Sequence, residues 1–255
     1  PRGRSEFVHY RHDPTQATTI SDGPGYPIFE DGAGTIWIGS WCGGLNRYDR
    51  PTDTFAHYTH QPDDSASLSH DRVWAIHEDK RGRMWIGTYG GGLNRFDRNS
   101  GIFKRYLDTD GLASNVVYGI LEDETGCLWL SSNNGLSRFN PEMGVFRIYD
   151  VHDGLQGKEF NTRAFYRDRE GNMYFGGTNG YNAFHPGSLS VNCHPPPVVI
   201  TSITVGGRRV VPAAATISLG YDQNSVAFEF AALDYNCPEK NRYVFKLENL
   251  DADWN

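Results

Sequence analysis

The sequence predicts an all-β protein: β-propeller blades, each a four-stranded antiparallel repeat of about 45 residues, followed by part of an immunoglobulin-like β-sandwich. Three observations carry that prediction. The chain of 255 residues has 29 glycines and 13% aromatic residues, with no long Ala/Leu/Glu/Lys-rich amphipathic stretch on which a substantial helix could form. One segment recurs as GTIWIGSWCGGLNRYD, GRMWIGTYGGGLNRFD, GCLWLSSNNGLSRFN and GNMYFGGTNGYNAFH, aligning Trp37, Trp85, Trp129 and Tyr174 at separations of 48, 44 and 45 residues. A period of that length with several short β-like runs per unit is the mark of propeller blades. After His185-Pro186-Gly187 the repeat stops, and strand-like runs of another kind begin beyond Pro195-Pro196-Pro197.

Within the most regular unit the strands read as Val73–Glu78, Met84–Thr88, Leu93–Phe96 and residues 103–107. The turn after the first strand repeats as Asp31 to Gly34, Asp79 to Gly82, Asp123 to Gly126 and Asp168 to Gly171. There the aspartate can hydrogen-bond the turn backbone and the glycine can take positive φ. Ile28, Ile76, Ile120 and Phe165 align on one face of the first strand, while Phe29 and Leu121 are bulky on the other. Both faces therefore read as buried, as expected where a blade packs between two neighbours, and the repeated Trp of the second strand supplies most of that contact.

The outer strand recurs at residues 55–58, 103–106 and 146–149, each from Phe to Tyr, and a further copy at residues 7–10 precedes any first strand. The last unit has no copy of its own. Residues 7–10 either close a ring with the last blade or end a preceding one, and the second reading is preferred. Because the chain opens on Pro1 in mid-unit and stops at Asn255, it reads as the C-terminal part of a longer propeller, residues 1–190, whose blade edges are otherwise left open. Residues 191–197 form a stiff proline-rich linker. In residues 198–255 the runs Val198–Val205, 225–231 and 243–248 suit the first half of a sandwich.

Hydrophobic residues make up 38% of the chain, enough for a sizeable core, and the net charge of −7 argues against a nucleic-acid surface, which needs clustered Lys and Arg. No run of 18 apolar residues and no signal peptide occurs, so any membrane attachment is expected through a segment outside this chain. Cys42, Cys127, Cys193 and Cys237 show no metal-type spacing and read as isolated buried thiols, with a Cys193–Cys237 disulfide as the alternative.

The unit EDxxGxxWIGTxxGGLNRFD, best seen from Glu78 to Asp97, resembles the two-component regulator propeller repeat, and four copies agree. The C-terminal stretch NSVAFEFAALDYNCPEKNRYVFKLENLDADWN resembles the small Y_Y_Y sandwich domain, here truncated. The last unit departs from the pattern, with Tyr174 for Trp and Ala183 where Arg47, Arg95 and Arg138 stand, as suits a terminal blade. The resemblance implies the periplasmic, ligand-sensing region of a bacterial two-component protein. It also implies homodimerisation through the parent, a histidine kinase or diguanylate cyclase downstream, and an oligosaccharide as the small-molecule ligand. Streptogramin lyases are similar to the same repeat and make an enzyme the alternative; a protein-interaction scaffold is the third reading.

Chemistry is sparse. The Glu-Asp pairs 30/31, 78/79 and 122/123 recur in every regular unit, whereas a catalytic carboxylate pair is needed once, so they read as turn elements. The Gly-rich runs lack the helix and Lys of a phosphate loop, the nine histidines make no ligand pair, and no GxSxG elbow occurs. No catalytic residue, metal or cofactor is expected. In an up-and-down blade, the loop between second and third strands shares an end with the crossing to the next blade. That end holds Trp41, Tyr89, Asn133, Asn134 and Asn179 from the first loop class, and His70, Asp71, Arg72, Asn115, Lys158, Asn161 and Arg163 from the second. These vary among blades, and aromatic rings with Asn, Asp and Arg suit sugar stacking and hydroxyl recognition. Tyr26, Trp74 and Tyr118, aligned at the entry to the inner strand, read as blade packing.

Overall fold

The computed structural model describes residues 7–189, 197–210, 219–220, 223, 225–233, 243–249, 251 and 253. The chain divides into two compact units, Pro1–Leu189 and Ser190–Asn255. In the first, β1 (Gly25–Glu30), β2 (Ile36–Ser40), β3 (Leu45–Asp49) and β4 (Thr54–Tyr58) form one four-stranded antiparallel sheet in sequence order. The second is β5 (Val73–Glu78), β6 (Met84–Thr88), β7 (Leu93–Phe96) and β8 (Phe103–Tyr106). The third is β9 (Gly119–Glu122), β10 (Leu128–Ser132), β11 (Gly135–Asn140) and β12 (Val145–Tyr149). The last is a three-stranded sheet of β13 (Phe160–Arg167), β14 (Met173–Gly177) and β15 (Gly180–Phe184), without an outer strand.

Each Asp-to-Gly turn closes as its residue types require. Gly34, Gly82, Gly126 and Gly171 have φ of +79°, +75°, +82° and +89°, and the amides of Gly34 and Gly82 reach the Asp31 and Asp79 carbonyls at 2.8 Å. The aspartate does more than close the turn. Asp79 Oδ1 accepts from the amides of Arg81 and Arg83 at 3.0 and 2.9 Å, while Oδ2 accepts from the Trp85 indole N–H at 2.8 Å. The same indole bond joins Trp37 to Asp31 at 2.9 Å and Trp129 to Asp123 at 3.1 Å. In the last sheet the Tyr174 hydroxyl takes the place of the indole and donates to Asp168 at 3.1 Å. The Asp-x5-Trp spacing thus lets a large ring be buried with its one polar atom satisfied.

Three core clusters fill the spaces between successive sheets. Each Trp faces the following blade, lying 5.5 Å from Phe96 for Trp37, 5.6 Å from Phe139 for Trp85 and 4.9 Å from Phe184 for Trp129. The outer-strand tyrosines do likewise: Tyr58 meets Phe96 and Phe103 at 4.9 and 6.1 Å, and Tyr106 meets Phe139 and Phe146 at 4.9 and 6.2 Å. Such ring pairs contribute about 0.5–1.5 kcal/mol each beyond area burial. Carboxylates clasp the turns from the next blade, with Glu78 accepting from the Gly32 amide at 2.5 Å and Glu122 from the Lys80 amide at 3.0 Å. In the last sheet Arg167 stands at that register and pairs with Glu124 at 3.5 Å, the same clasp with its charges exchanged.

Several expectations are corrected. Residues 7–10 are not a strand. Tyr10 nevertheless rests 5.5 Å from Tyr48 and 5.4 Å from Phe55, the place Tyr58 and Tyr106 take on the blades that follow them. Burial of both faces holds for the inner sheets only: Ile120 is 2% exposed but Ile28 is 73% exposed, because this face of each first strand packs on the preceding blade and no described residue covers it at β1. Cys127 is a buried free thiol as expected, whereas Cys42 is exposed, since it lies in the β2–β3 loop and not in a strand. Cys193 and Cys237 lie outside the described residues, as does the linker apart from Pro197.

In the second unit, β16 (Val198–Val205) pairs with β17 (Arg208–Val210) and β18 (Val226–Ala232) in a single three-stranded antiparallel sheet. Residues 243–248, expected as a strand, form no ladder; the Tyr243 hydroxyl instead accepts from the Ala232 amide at 3.0 Å. No second sheet of a sandwich occurs among the described residues. None of their helices is long and apolar enough to cross a membrane.

Candidate functional site

The two predicted loop classes meet at one end of the blades. Backbone bonds tie them, from Gly44 N to Asp71 O at 2.9 Å, Gly92 N to Asn115 O at 2.8 Å and Gly135 N to Lys158 O at 2.6 Å. Glycine is needed at these positions: all three have positive φ, and a Cβ on Gly92 would lie 2.3 Å from the Tyr106 carbonyl. A polar side chain of the third strand, buried in the first three sheets and half-buried in the last, then holds each incoming crossing. Asn46 accepts from Ser21 N at 3.0 Å, Asn94 from Ser69 N at 3.1 Å, Ser137 from Ala113 N at 3.0 Å and Asn182 from Gln156 N at 2.9 Å. The asparagine of the GGLNR motif is therefore a clamp that fixes where the loop residues stand.

On that frame the structure builds one aromatic cluster. Trp74 is buried and stacks on Tyr118 with centroids 5.0 Å apart and an interplanar angle of 23°. Trp41 and Tyr89 flank it at 5.5 and 4.7 Å, each more than one-third exposed. The Arg72 guanidinium lies between those two rings, 5.3 Å from the Trp41 centroid and 5.5 Å from that of Tyr89. Tyr26 continues the cluster 6.4 Å from Trp41, and Arg163 lies 3.9 Å over Tyr26. Arg163 has φ of +62°, a left-handed conformation costing a non-glycine residue about 1–2 kcal/mol.

Four of the predicted face residues, Trp41, Tyr89, Arg72 and Arg163, are thus brought together. Others take up loop-fixing bonds: the Asp71 carboxylate accepts from His60 N at 2.6 Å, Asn115 from Asp108 N at 2.9 Å, and the Asn134 amide donates to Ala113 O at 2.9 Å. His70 accepts from Arg72 N at 3.0 Å; burial lowers its pKa, and the Arg72 charge adds to the effect. Asn179 N donates to Gln156 Oε1 at 2.7 Å. Asn133 and Asn161 are exposed and stand outside the cluster. Trp74, Tyr118 and Tyr26 were expected only to pack, yet they form the floor of the cluster. Their shared register was the available signal, because its fourth member is Arg163. Burial raises the Tyr118 hydroxyl pKa, and the charge of nearby Glu159 raises it further. No group of three or more His, Cys, Asp or Glu able to hold a metal occurs among the described residues.

Residues 67–90 and 111–134 match the family described as two component regulator propeller, each segment running from the crossing loop to the β-turn that follows the next second strand. The two matched segments, in the second and third sheets, are similar to two-component regulator propeller repeats. A curated relative named histidine kinase P4, from Formosa agariphila, is 30% identical over 158 residues, covering 57% of this chain and 12% of its own length. Among solved structures, an extracellular domain attributed to a one component system of B. thetaiotaomicron is 22% identical with a TM-score of 0.50, over 99% of this chain and 47% of that one. A virginiamycin B lyase from Staphylococcus aureus is 16% identical with a TM-score of 0.45, over 67% of this chain and 58% of that one. At this identity the likeness to the extracellular domain establishes the fold alone, and the weaker likeness to the lyase carries no conclusion. The chain spans about one-eighth of the kinase relative and under half of the extracellular domain.

Proposed function

We propose that this chain is a ligand-binding part of the extracytoplasmic sensor of a bacterial two-component protein, and that it reads a carbohydrate on the loop end of its blades. The observation that carries the reading is the partly exposed Trp41 and Tyr89 pair on a buried Trp74 floor. Flat, rigid aromatic faces held by a scaffold are what a sugar ring stacks on, and they lose little entropy on binding. Support comes from the propeller repeats and from a relative named as a histidine kinase.

In this reading the segment after Leu189 couples the propeller to an output module, a histidine kinase or a diguanylate cyclase, and the parent protein works as a homodimer in the inner membrane with this region in the periplasm. The propeller itself binds and does not turn its ligand over. The test is a transcriptional reporter driven by the full-length parent, exposed to a panel of oligosaccharides. Trp41→Ala and Tyr89→Ala are expected to lower the response to the active sugar at least tenfold while the variants accumulate and melt normally. An unchanged dose response in both variants would place the ligand elsewhere.

A further inference from the structure

At the hairpin-turn end of the first unit, six arginines are neutralised by carboxylates: Arg50 by Glu30, Arg81 by Glu142, Arg83 by Asp79, Arg98 by Asp31, Arg138 by Asp123 and Arg167 by Glu124. Several others make no ion pair with a described residue, among them Arg47, Arg95, Arg147 and Arg169 on strands and turns away from the loop end; what sets Arg72 and Arg163 apart is their place on the aromatic cluster. At the loop end, Arg72 and Arg163 make no ion pair with a described residue, and no described residue accepts a hydrogen bond from either guanidinium. Both instead lie over aromatic rings, Arg72 between Trp41 and Tyr89 and Arg163 over Tyr26. The nearby acids do not compensate them: the Asp71 carboxylate is turned to the His60 amide, and Glu159 lies near Tyr118.

A guanidinium held against a ring keeps its edge and its fork of N–H donors free, fixed in orientation before any ligand arrives. In a chain of net charge −7, two uncompensated cations on one continuous cluster are a selective feature. Planar oxyanions, carboxylate or sulfate, match the donor fork with two parallel bonds. A neutral sugar would stack on Trp41 and Tyr89 equally well but would leave both cations without a counter-charge.

We infer that the ligand is an acidic oligosaccharide, one whose carboxylate or sulfate groups are taken by Arg72 and Arg163 while a neighbouring ring stacks on Trp41 or Tyr89. This rests on the proposed carbohydrate function and adds the charge class to it.

The experiment titrates the 255-residue chain, by calorimetry and tryptophan fluorescence, with uronate-bearing and sulfated oligosaccharides and with their methyl-esterified and desulfated counterparts. At least one acidic probe is expected to bind about tenfold or more tightly than its neutralised partner, with the advantage shrinking as salt rises from 50 to 300 mM. Comparison of uronate with sulfate probes identifies which anion is read. Arg72→Gln and Arg163→Gln should each erase most of that advantage, whereas Arg72→Lys should keep the salt dependence but lose affinity, since an ammonium cannot form the planar double bond. Arg163 is exposed, so its variant tests the charge with no burden on blade packing. Equal binding of acidic and neutralised probes would overturn the charge inference and leave the carbohydrate reading standing. Binding of no probe at all would overturn both.

Discussion

Asp79→Ala is expected to destabilise the propeller by about 3–5 kcal/mol, the range for stranding partners of a buried charge. The Asp79 side chain is fully buried and accepts four hydrogen bonds, from Arg81 N, Arg83 N, Arg83 Nε and the Trp85 indole at 3.0, 2.9, 2.6 and 2.8 Å. Arg83 retains Glu142 at 2.7 Å, and the turn amides can reach water, so these losses are partly recovered. The indole cannot recover: Trp85 is 0% exposed, and an unmet buried donor costs about 1–3 kcal/mol. Two controls separate this account from a general sensitivity of the turns. Asp168→Ala, whose partners Asn172 and Tyr174 are not fully buried, should cost about 1 kcal/mol. In a Trp85→Phe background the cost of Asp79→Ala should shrink by about 1–2 kcal/mol, because the stranded donor is gone. Urea unfolding followed by tryptophan fluorescence reads the wild type and all four variants. Equal midpoint losses for Asp79→Ala and Asp168→Ala, or no coupling to Trp85, would refute the reasoning.

The same aspartates set an acid limit. Burial pushes the Asp31, Asp79 and Asp123 carboxyls up, but hydrogen bonds from the turns, indoles and arginines outweigh it and hold all three below their ordinary values. With the folded pKa depressed, the unfolded chain binds more protons in the acid range, so their contribution is full above about pH 4–5 and is lost as pH falls through the folded values. Urea midpoints should therefore fall steeply below about pH 4, beyond the smaller decline between pH 7 and 5 that the lowered His70 pKa imposes; a midpoint near pH 3 no lower than at pH 5 contradicts this. Gly119→Ala should cost about 1–3 kcal/mol, because its Cβ would lie 2.2 Å from a Phe165 ring atom of the next blade, and Phe165→Leu should relieve part of that loss. Arg98→Ala removes a bridge from the second blade to Asp31 of the first at 2.7 Å and to its own Glu78; thermal melts should show a loss of about 1–2 kcal/mol, and no loss would make the bridge incidental.

The blades were legible because every constraint on them is repeated: the turn aspartate, the positive-φ glycine and the tryptophan recur at fixed offsets, so three of the four strands in the best unit were placed to the residue. What alignment alone cannot carry is the neighbour. Ile28 and Ile120 share a register, yet one is exposed and the other buried, since the face they share is covered by the preceding blade. In the second unit no repeat was available to check the reading. The run 243–248 has strand composition but no ladder, and β17, a short polar strand after the Gly206-Gly207 turn, gave no apolar signal.

The candidate site was half legible. Variation among loops pointed to Trp41, Arg72, Tyr89 and Arg163, but it pointed equally to Asp71, Asn115 and Asn134, whose side chains hold loops in place. Composition does not distinguish a polar side chain spent on its own loop from one left to meet a ligand. Trp74 and Tyr118 were hidden for the opposite reason. A bulky residue repeated at one register reads as packing, and only the geometry shows that the packed rings reach the surface beneath Trp41 and Tyr89.

The central claim is that the aromatic cluster at the loop end receives a carbohydrate. Its most direct test is the change in tryptophan fluorescence of the 255-residue chain as a saccharide panel is titrated, compared between wild type and Trp41→Ala. The account predicts a saturable change with at least one saccharide, its affinity reduced at least tenfold in the variant while circular dichroism and melting are preserved. Saturable binding of equal affinity in both chains, or no binding by any member of the panel, would contradict it.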